Sequence, residues 1–402
     1  MIRRNSSRRP SASSVPFPEH QLDEKYYTMT STQSTGSRLG VLHDTGIPPG
    51  SEDYTTLVVL HGHNWHSGTF SKVIPLASIN NTRLILVNRR GYPGSTPFTD
   101  EELATIPKLT PDANEDTLED AREELGLFMR DRAREVYDLL EDIVRQDNIP
   151  PAQPEKNTGG IILAGWSFGA LWMNALMAYV SSFPVNDVEL SKYVRRVVIF
   201  DTGNLVMGYP GRSDMYERGF DPALSEAERK AAYNVWERAR RISSYYSHGE
   251  TLDSLSDEPL KHPPSTVSTL SAEERANLTH IPGGVVDSAI ALPGIQSGLF
   301  DSLRQRAISL PSRQDNKENG DDAESSGDDW RDIELRVVWC QMSHAEVSYV
   351  TLLLIAELED AKKKGIPVRN VRVVRVKGAN HFIHWDQPEM AMRALLGDED
   401  VI

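Results

Sequence analysis

Six short apolar runs, separated by longer helical patterns, restrict this chain to one broad class of architecture. Thr55–Leu60, Leu84–Val87, Ile161–Ala164, Val197–Phe200, Leu335–Trp339 and Val371–Val376 are continuous rather than alternating, as strands buried on both faces must be. Between them, Glu119–Arg145, Ala170–Val180, Glu346–Lys364 and Pro388–Leu396 repeat apolar residues at helical spacing. In the first of these, Val136, Leu139, Leu140 and Ile143 form the buried stripe of an exposed crossover helix. Strands alternating with helices imply right-handed crossovers and a mostly parallel sheet covered on both faces, an α/β fold. Upstream, Tyr26–Thr32 and Arg38–His43 flank Ser34-Thr35-Gly36 and predict a hairpin.

One interval breaks the alternation. Residues 204–332 hold no buried strand but an aromatic helical stretch (Tyr233, Trp236, Tyr245, Tyr246) and Pro/Gly-rich apolar loops, IPGGVVDSAIALPGIQSGLF. The run RQDNKENGDDAESSGDD is too hydrophilic to order itself and predicts a flexible acidic loop at about 313–330. The expected organisation is a core of 21–203 and 333–402, a helical lid insertion at 204–332, and a disordered basic tail at 1–20. The tail has four arginines and no acid before Glu19, a composition shared with mitochondrial transit peptides. Pro10, Pro16 and Pro18 would interrupt a presequence helix, so a cytoplasmic location is the expectation.

Composition narrows the partners. With one cysteine, Cys340, neither an internal disulfide nor a cysteine-based zinc cage is available, which favours a reducing compartment. Lys+Arg 43 against Asp+Glu 58, a net charge of −15, opposes standing contact with nucleic acid or an anionic membrane. No apolar run approaches the roughly 18 residues needed to span a bilayer.

Gly165-Trp166-Ser167-Phe168-Gly169 sits between the strand IILA and the helix ALWMNALMAY. A sharp strand-to-helix turn strains its central residue, and glycine at both ±2 positions avoids collision there. That geometry would lift the Ser167 hydroxyl above the sheet beside a helix N-terminus. A serine is a poor nucleophile until a base takes its proton. His381, in GANHFIHWDQPE after the last strand, lies on the same sheet edge; His384, a turn later beside Trp385, is the alternative.

The ordered set LVVLHGH, NRRGYPGS, GWSFG and GANHFIHWDQPE resembles the α/β-hydrolase superfamily over most of the chain outside tail and lid. The resemblance implies an oxyanion hole made by the backbone N–H groups of His63 and Phe168, with Ser167 as nucleophile and His381 as base. The turn NRRGYPGS departs from the family's Asp-x-Arg-Gly-x-Gly-x-Ser: Asn88 and Pro93 replace Asp and Gly. The triad acid stays open. The family's usual position, after the strand before the last, holds Ser343, with Glu346 three residues on; the preceding strand ends in Asp201, where some members place the acid. Asp201 is the preferred candidate and Glu346 the alternative.

His61-Gly62-His63-Asn64-Trp65-His66 also resembles a zinc signature, but Trp65 stands where an Asp ligand is required and an indole cannot coordinate zinc, so no metal or cofactor is expected. Trp65, Trp166, Phe168, Phe382 and Trp385 flank the reacting groups as candidate pocket walls. The resulting expectation is a serine hydrolase that cleaves an ester or lactone of a small, moderately apolar acyl substrate. An acyltransferase on the same triad and a non-catalytic ligand-binding protein are the alternatives. Epoxide hydrolysis and dehalogenation would need a carboxylate where Ser167 stands.

Overall fold

The computed structural model describes residues 37–110, 112–212, 235–310 and 330–400. The basic tail, the strand expected at Tyr26–Thr32, Tyr233 and the acidic run before Trp330 lie outside the described residues.

Among the described residues seven strands form one sheet: β1 (Gly40–Asp44), β2 (Thr55–Leu60), β3 (Thr82–Asn88), β4 (Ile161–Trp166), β5 (Val194–Phe200), β6 (Glu334–Cys340) and β7 (Val371–Val376). Their order is β1-β3-β2-β4-β5-β6-β7; β1 runs antiparallel to β3 and every other pairing is parallel. Every residue of β2, β3, β4 and β5 is buried, which accounts for the apolar runs Thr55–Leu60, Leu84–Val87, Ile161–Ala164 and Val197–Phe200 within them; β3 and β5 begin earlier than those runs and bury Arg83, Arg195 and Arg196 as well. Alternate residues feed two separate cores, Val58 and Leu60 on one face, Leu57 and Val59 on the other.

Helices cover both faces: α1 (Glu115–Asp147), α2 (Ala170–Tyr179), α3 (Val235–Ile242), α4 (Ala272–Leu278), α5 (Ile281–Gln296), α6 (Leu299–Ile308), α7 (Ala345–Lys364) and α8 (Pro388–Leu396). The first of these starts four residues before its expected position because Asn114 caps it, its side chain accepting from the Thr117 amide. It is also less exposed than a simple crossover helix. Besides Val136, Leu139, Leu140 and Ile143 it buries Arg132 and Glu135, which join Arg90 and Glu102 in one ion-pair network.

Between β5 and β6 the chain is helical where apolar loops were expected. IPGGVVDSAIALPGIQ forms α5, with Pro282 in its first turn and Pro293 inside, and α6 follows at once. Glycine and proline hid the helix. Gly283 lies against the Tyr92 ring and Gly294 against Phe300, each with no room for a Cβ, so these glycines serve close packing rather than loop geometry. Trp330, at the expected end of the acidic loop, is buried and stacks on Tyr137. Among the described residues no helix is long and apolar enough to cross a membrane.

Asn88 explains the altered turn after β3. Its Oδ1 accepts from the Ser67 amide at 2.8 Å and the Ser67 hydroxyl at 2.7 Å, while its Nδ2 donates to the Pro93 carbonyl at 2.8 Å. An aspartate could not make that last bond.

Candidate active site

Parallel strands bring their carboxyl ends to one sheet edge, and every candidate residue leaves a strand there: His61 after β2, Ser167 after β4, Asp201 after β5, Ser343 after β6 and His381 after β7. Ser167 has φ 53°, in the left-handed region, and Asp201 has φ 47°. Non-glycine residues hold such angles only when their surroundings over-determine them. A Cβ on Gly165 would lie 2.4 Å from the Gly169 carbonyl oxygen, and one on Gly169 would lie 2.5 Å from that of His61. The two glycines thus let strand, turn and helix meet around Ser167.

His381 Nε2 lies 3.0 Å from Ser167 Oγ, and its Nδ1 lies 2.7 Å from Asp201 Oδ2. The same Oδ2 accepts from the Ser343 hydroxyl at 2.6 Å, and Oδ1 accepts from the Cys340 amide at 2.6 Å. An ionised carboxylate only accepts, so the Nδ1 proton belongs to the Asp201 contact and Nε2 is left to accept from Ser167. The His381 carbonyl is held by the Trp166 indole N–H at 3.0 Å, and Thr202 Oγ1 donates to the Ser167 carbonyl at 3.0 Å. Burial, with Asp201 beside it, holds the Cys340 thiol well above its ordinary pKa, so it stays protonated.

Glu346 occupies the first turn of α7, its Oε2 3.0 Å from where a Gly203 Cβ would be, and it lines the cavity. His384 is buried, stacked on Phe70 at 4.1 Å and 3.2 Å from Thr69 Oγ1; burial holds its pKa well below 6.5. The three imidazoles of the HGHNWH run take separate partners. His61 Nε2 accepts from the Arg89 amide, His63 Nε2 meets Ser288 Oγ at 2.9 Å, and His66 caps the following turn. Among the described residues no group of three His, Cys, Asp or Glu is disposed to hold a metal.

A cavity of about 220 Å³ opens over Ser167. Trp236 and Ile242 from α3, with Leu292 and Ile295 from α5, line it opposite the sheet edge, and Trp65, Trp166 and Phe168 also face it. Phe382 and Trp385 are buried elsewhere, in the core beneath α8. His63 and Phe168 flank the cavity, and Gly62 is so close that a Cβ there would lie 2.9 Å from Ser167 Cβ. Burial lowers the His63 pKa to about 4, with Asp287 opposing the shift and Arg238 and Arg89 adding to it. Sequence reasoning passed over His344, whose ring sits 5.3 Å from His381; burial, and then His381, keep it well below 6.5. Arg238 and Arg241 on α3, also unmarked by any motif, complete a polar section of the wall.

Among solved structures, a bromoperoxidase from Bacillus anthracis is 14% identical and aligns over 89% of this chain and 94% of its own, with a TM-score of 0.40. An epoxide hydrolase from Vigna radiata is 13% identical over 91% of this chain and 95% of that one, with a TM-score of 0.43. A lipase-esterase related protein from Clostridium acetobutylicum is 13% identical over 88% and 97%, with a TM-score of 0.36. No curated protein sequence matches this one. The model of the alpha/beta hydrolase family matches residues 57–394, a span from β2 to α8 that takes in Ser167, Asp201 and His381, and the chain therefore belongs to the alpha/beta hydrolase family.

Proposed function

We propose that the protein is a serine hydrolase that cleaves an ester or lactone of a small, moderately apolar acyl substrate through an acyl-enzyme. One observation carries the reading: Ser167 Oγ, the His381 ring and Asp201 Oδ2 form a continuous hydrogen-bonded line at 3.0 and 2.7 Å, beside a cavity whose wall is largely apolar with a polar section at Arg238 and Arg241. His381 Nε2 takes the hydroxyl proton as Ser167 Oγ attacks the acyl carbonyl, and Asp201 stabilises the imidazolium that results. The backbone N–H groups of His63 and Phe168 donate to the oxyanion of the tetrahedral intermediate. Its collapse breaks the bond to the leaving oxygen, which receives the proton from His381. Water then attacks the acyl-serine with His381 again as base, releasing the acid and restoring the hydroxyl. The segment α3–α6 serves as the lid that excludes bulk water. A carboxylate-nucleophile reaction such as epoxide opening has no group to start it, since serine stands at the turn.

A fluorophosphonate probe should label the protein stoichiometrically and p-nitrophenyl butyrate should be hydrolysed; both should vanish in Ser167→Ala. Labelling that persists in that variant overturns the reading. With an added alcohol, the butyryl group should still pass mainly to water; predominant ester product would indicate acyl transfer, and p-nitrophenyl butyrate bound without turnover would indicate a ligand-binding role.

A further inference from the structure

Arg89, in the turn after β3, is fully buried beneath the loop that follows β2. Its Nη1 and Nη2 reach the two carboxylate oxygens of Asp287 on α5, each at 2.7 Å. The same guanidinium donates from Nη2 to the Gly62 carbonyl at 3.0 Å and from Nε to the His61 carbonyl at 3.2 Å, and its flat face lies 4.2 Å from the Trp172 ring centre. Tyr92 ties the rest of the loop to the pair: its hydroxyl donates to Asp287 Oδ2 at 2.6 Å and accepts from the Asn64 amide at 3.1 Å. Asn64 itself has φ 65°. The chain between α4 and α5 presses on the loop from the other side, with the His280 amide donating to the Asn64 carbonyl and the His66 amide to that of Leu278.

We infer that Arg89 and Asp287 are positioning residues that hold the His63 amide in the orientation needed to receive an oxyanion at Ser167. The inference rests on the serine-hydrolase reading. The Gly62 carbonyl accepts from Arg89 Nη2 and from His61 Nδ1, the latter at 2.9 Å. His61 must carry its proton on Nδ1, because its Nε2 accepts from the Arg89 amide. A peptide unit is planar and trans, so pinning the Gly62 oxygen turns the His63 N–H in the same unit the opposite way. His63 lines the cavity alongside Ser167 and Phe168. A cationic donor on the carbonyl also polarises that unit and strengthens its N–H as a donor. A buried ion pair is an inefficient fastener, because desolvating two charges offsets their attraction. Two apolar side chains would fill the space as well; they would lack the fork that fixes two successive carbonyls.

The test compares wild type with Asp287→Asn and Tyr92→Phe, counting competent sites by fluorophosphonate end-point and expressing kcat for p-nitrophenyl butyrate per labelled serine. Asp287→Asn should lower kcat per labelled serine by about 10- to 100-fold, leave KM within about twofold, and weaken inhibition by butylboronic acid in parallel with kcat/KM. Tyr92→Phe should move the same quantities in the same direction by a smaller factor. A purely structural role would lower the number of labelled serines and leave turnover at each of them unchanged. Unchanged per-site kcat in the variants that fold overturns the inference, and if Asp287→Asn yields no labelled protein, Tyr92→Phe decides alone. Failure of the wild type to label would overturn the serine-hydrolase reading instead.

Discussion

The Ser343 hydroxyl donates to Asp201 Oδ2 at 2.6 Å, the same oxygen that meets His381 Nδ1. Ser343 follows β6, where a triad acid would usually be sought, and Asp201 follows the neighbouring β5. The two positions share one polar spot behind the imidazole, with donor and acceptor exchanged between strands. Asp201→Ser should therefore lower kcat/KM for p-nitrophenyl butyrate by about 10⁴-fold, since the histidine loses both its tautomer and its counter-charge. Adding Ser343→Asp to that variant should recover at least about tenfold, measured by the same assay. A double variant no better than Asp201→Ser would show that the second position cannot serve the imidazole. Ser343→Asp alone should reduce activity, because two buried carboxylates side by side force one to stay protonated. Glu346→Gln should stay within about tenfold of wild type, as Asp201 is the carboxylate seated 2.7 Å from His381 Nδ1.

Gly169 backs directly onto the loop after β2. In Gly169→Ala the new methyl would lie 2.5 Å from the His61 carbonyl oxygen and 3.0 Å from that of Leu60, both backbone atoms that cannot step aside alone. Overpacking of this kind costs about 1–3 kcal/mol. It should also push the His61–His63 segment away from Ser167, so kcat should fall beyond what the stability loss explains. Urea unfolding gives the first quantity and turnover per labelled serine the second. An alanine variant with wild-type values for both would mean that the close approach does not constrain the site.

How much of this was legible in sequence depended on whether the signal was local. β2 to β5 showed themselves because burial on both faces demands unbroken apolar runs. The approach of Ser167 to His381 followed from two glycines and from strand ends sharing an edge. Asp201 at a strand end and Glu346 at a helix start both stayed open in sequence, because which carboxylate faces the ring is a tertiary fact. The helix α5 was missed because its glycines pack against Tyr92, Asn64 and Phe300, residues outside the segment. Asp287, an isolated charge in that apolar stretch, was the available clue: a lone carboxylate among apolar residues needs a buried partner, and Arg89 is it.

Far from the cavity, Glu334 sits between two buried arginines, 2.8 Å from Arg196 Nε and 2.6 Å from Arg336 Nε. Burial, and then Arg196, lower the Arg336 pKa, a sign of crowded like charges. Glu334→Gln removes their shared counter-charge and should destabilise by about 3 kcal/mol, the low end for breaking a buried pair because Asp398 remains 2.9 Å from Arg196. A chemical-denaturation midpoint should drop accordingly, while kcat per labelled serine stays at the wild-type value. A midpoint that does not move would mean that backbone carbonyls and Asp398 suffice for both cations.

Acid should weaken the fold well before the carboxylates titrate. His43, His61, His63, His66, His248, His344 and His384 are all shifted down from 6.5, each chiefly by burial, and His63 reaches about 4. In the unfolded chain these imidazoles take up protons as pH falls through about 6.5, whereas in the folded protein they refuse them until lower pH. Stability is thus fully present above about pH 6.5 and declines below it, by up to about 1.4 kcal/mol per pH unit for each fully excluded histidine; the loss from His63 ends near pH 4. Calorimetric Tm should be level from pH 7.5 to about 6.5 and fall steadily from there to pH 5.0. His384→Phe, which keeps a ring against Phe70 but removes one titrating group, should make that fall shallower. A Tm that is flat or rises across this interval would mean that the buried imidazoles find protons, or water, that the folded structure denies them.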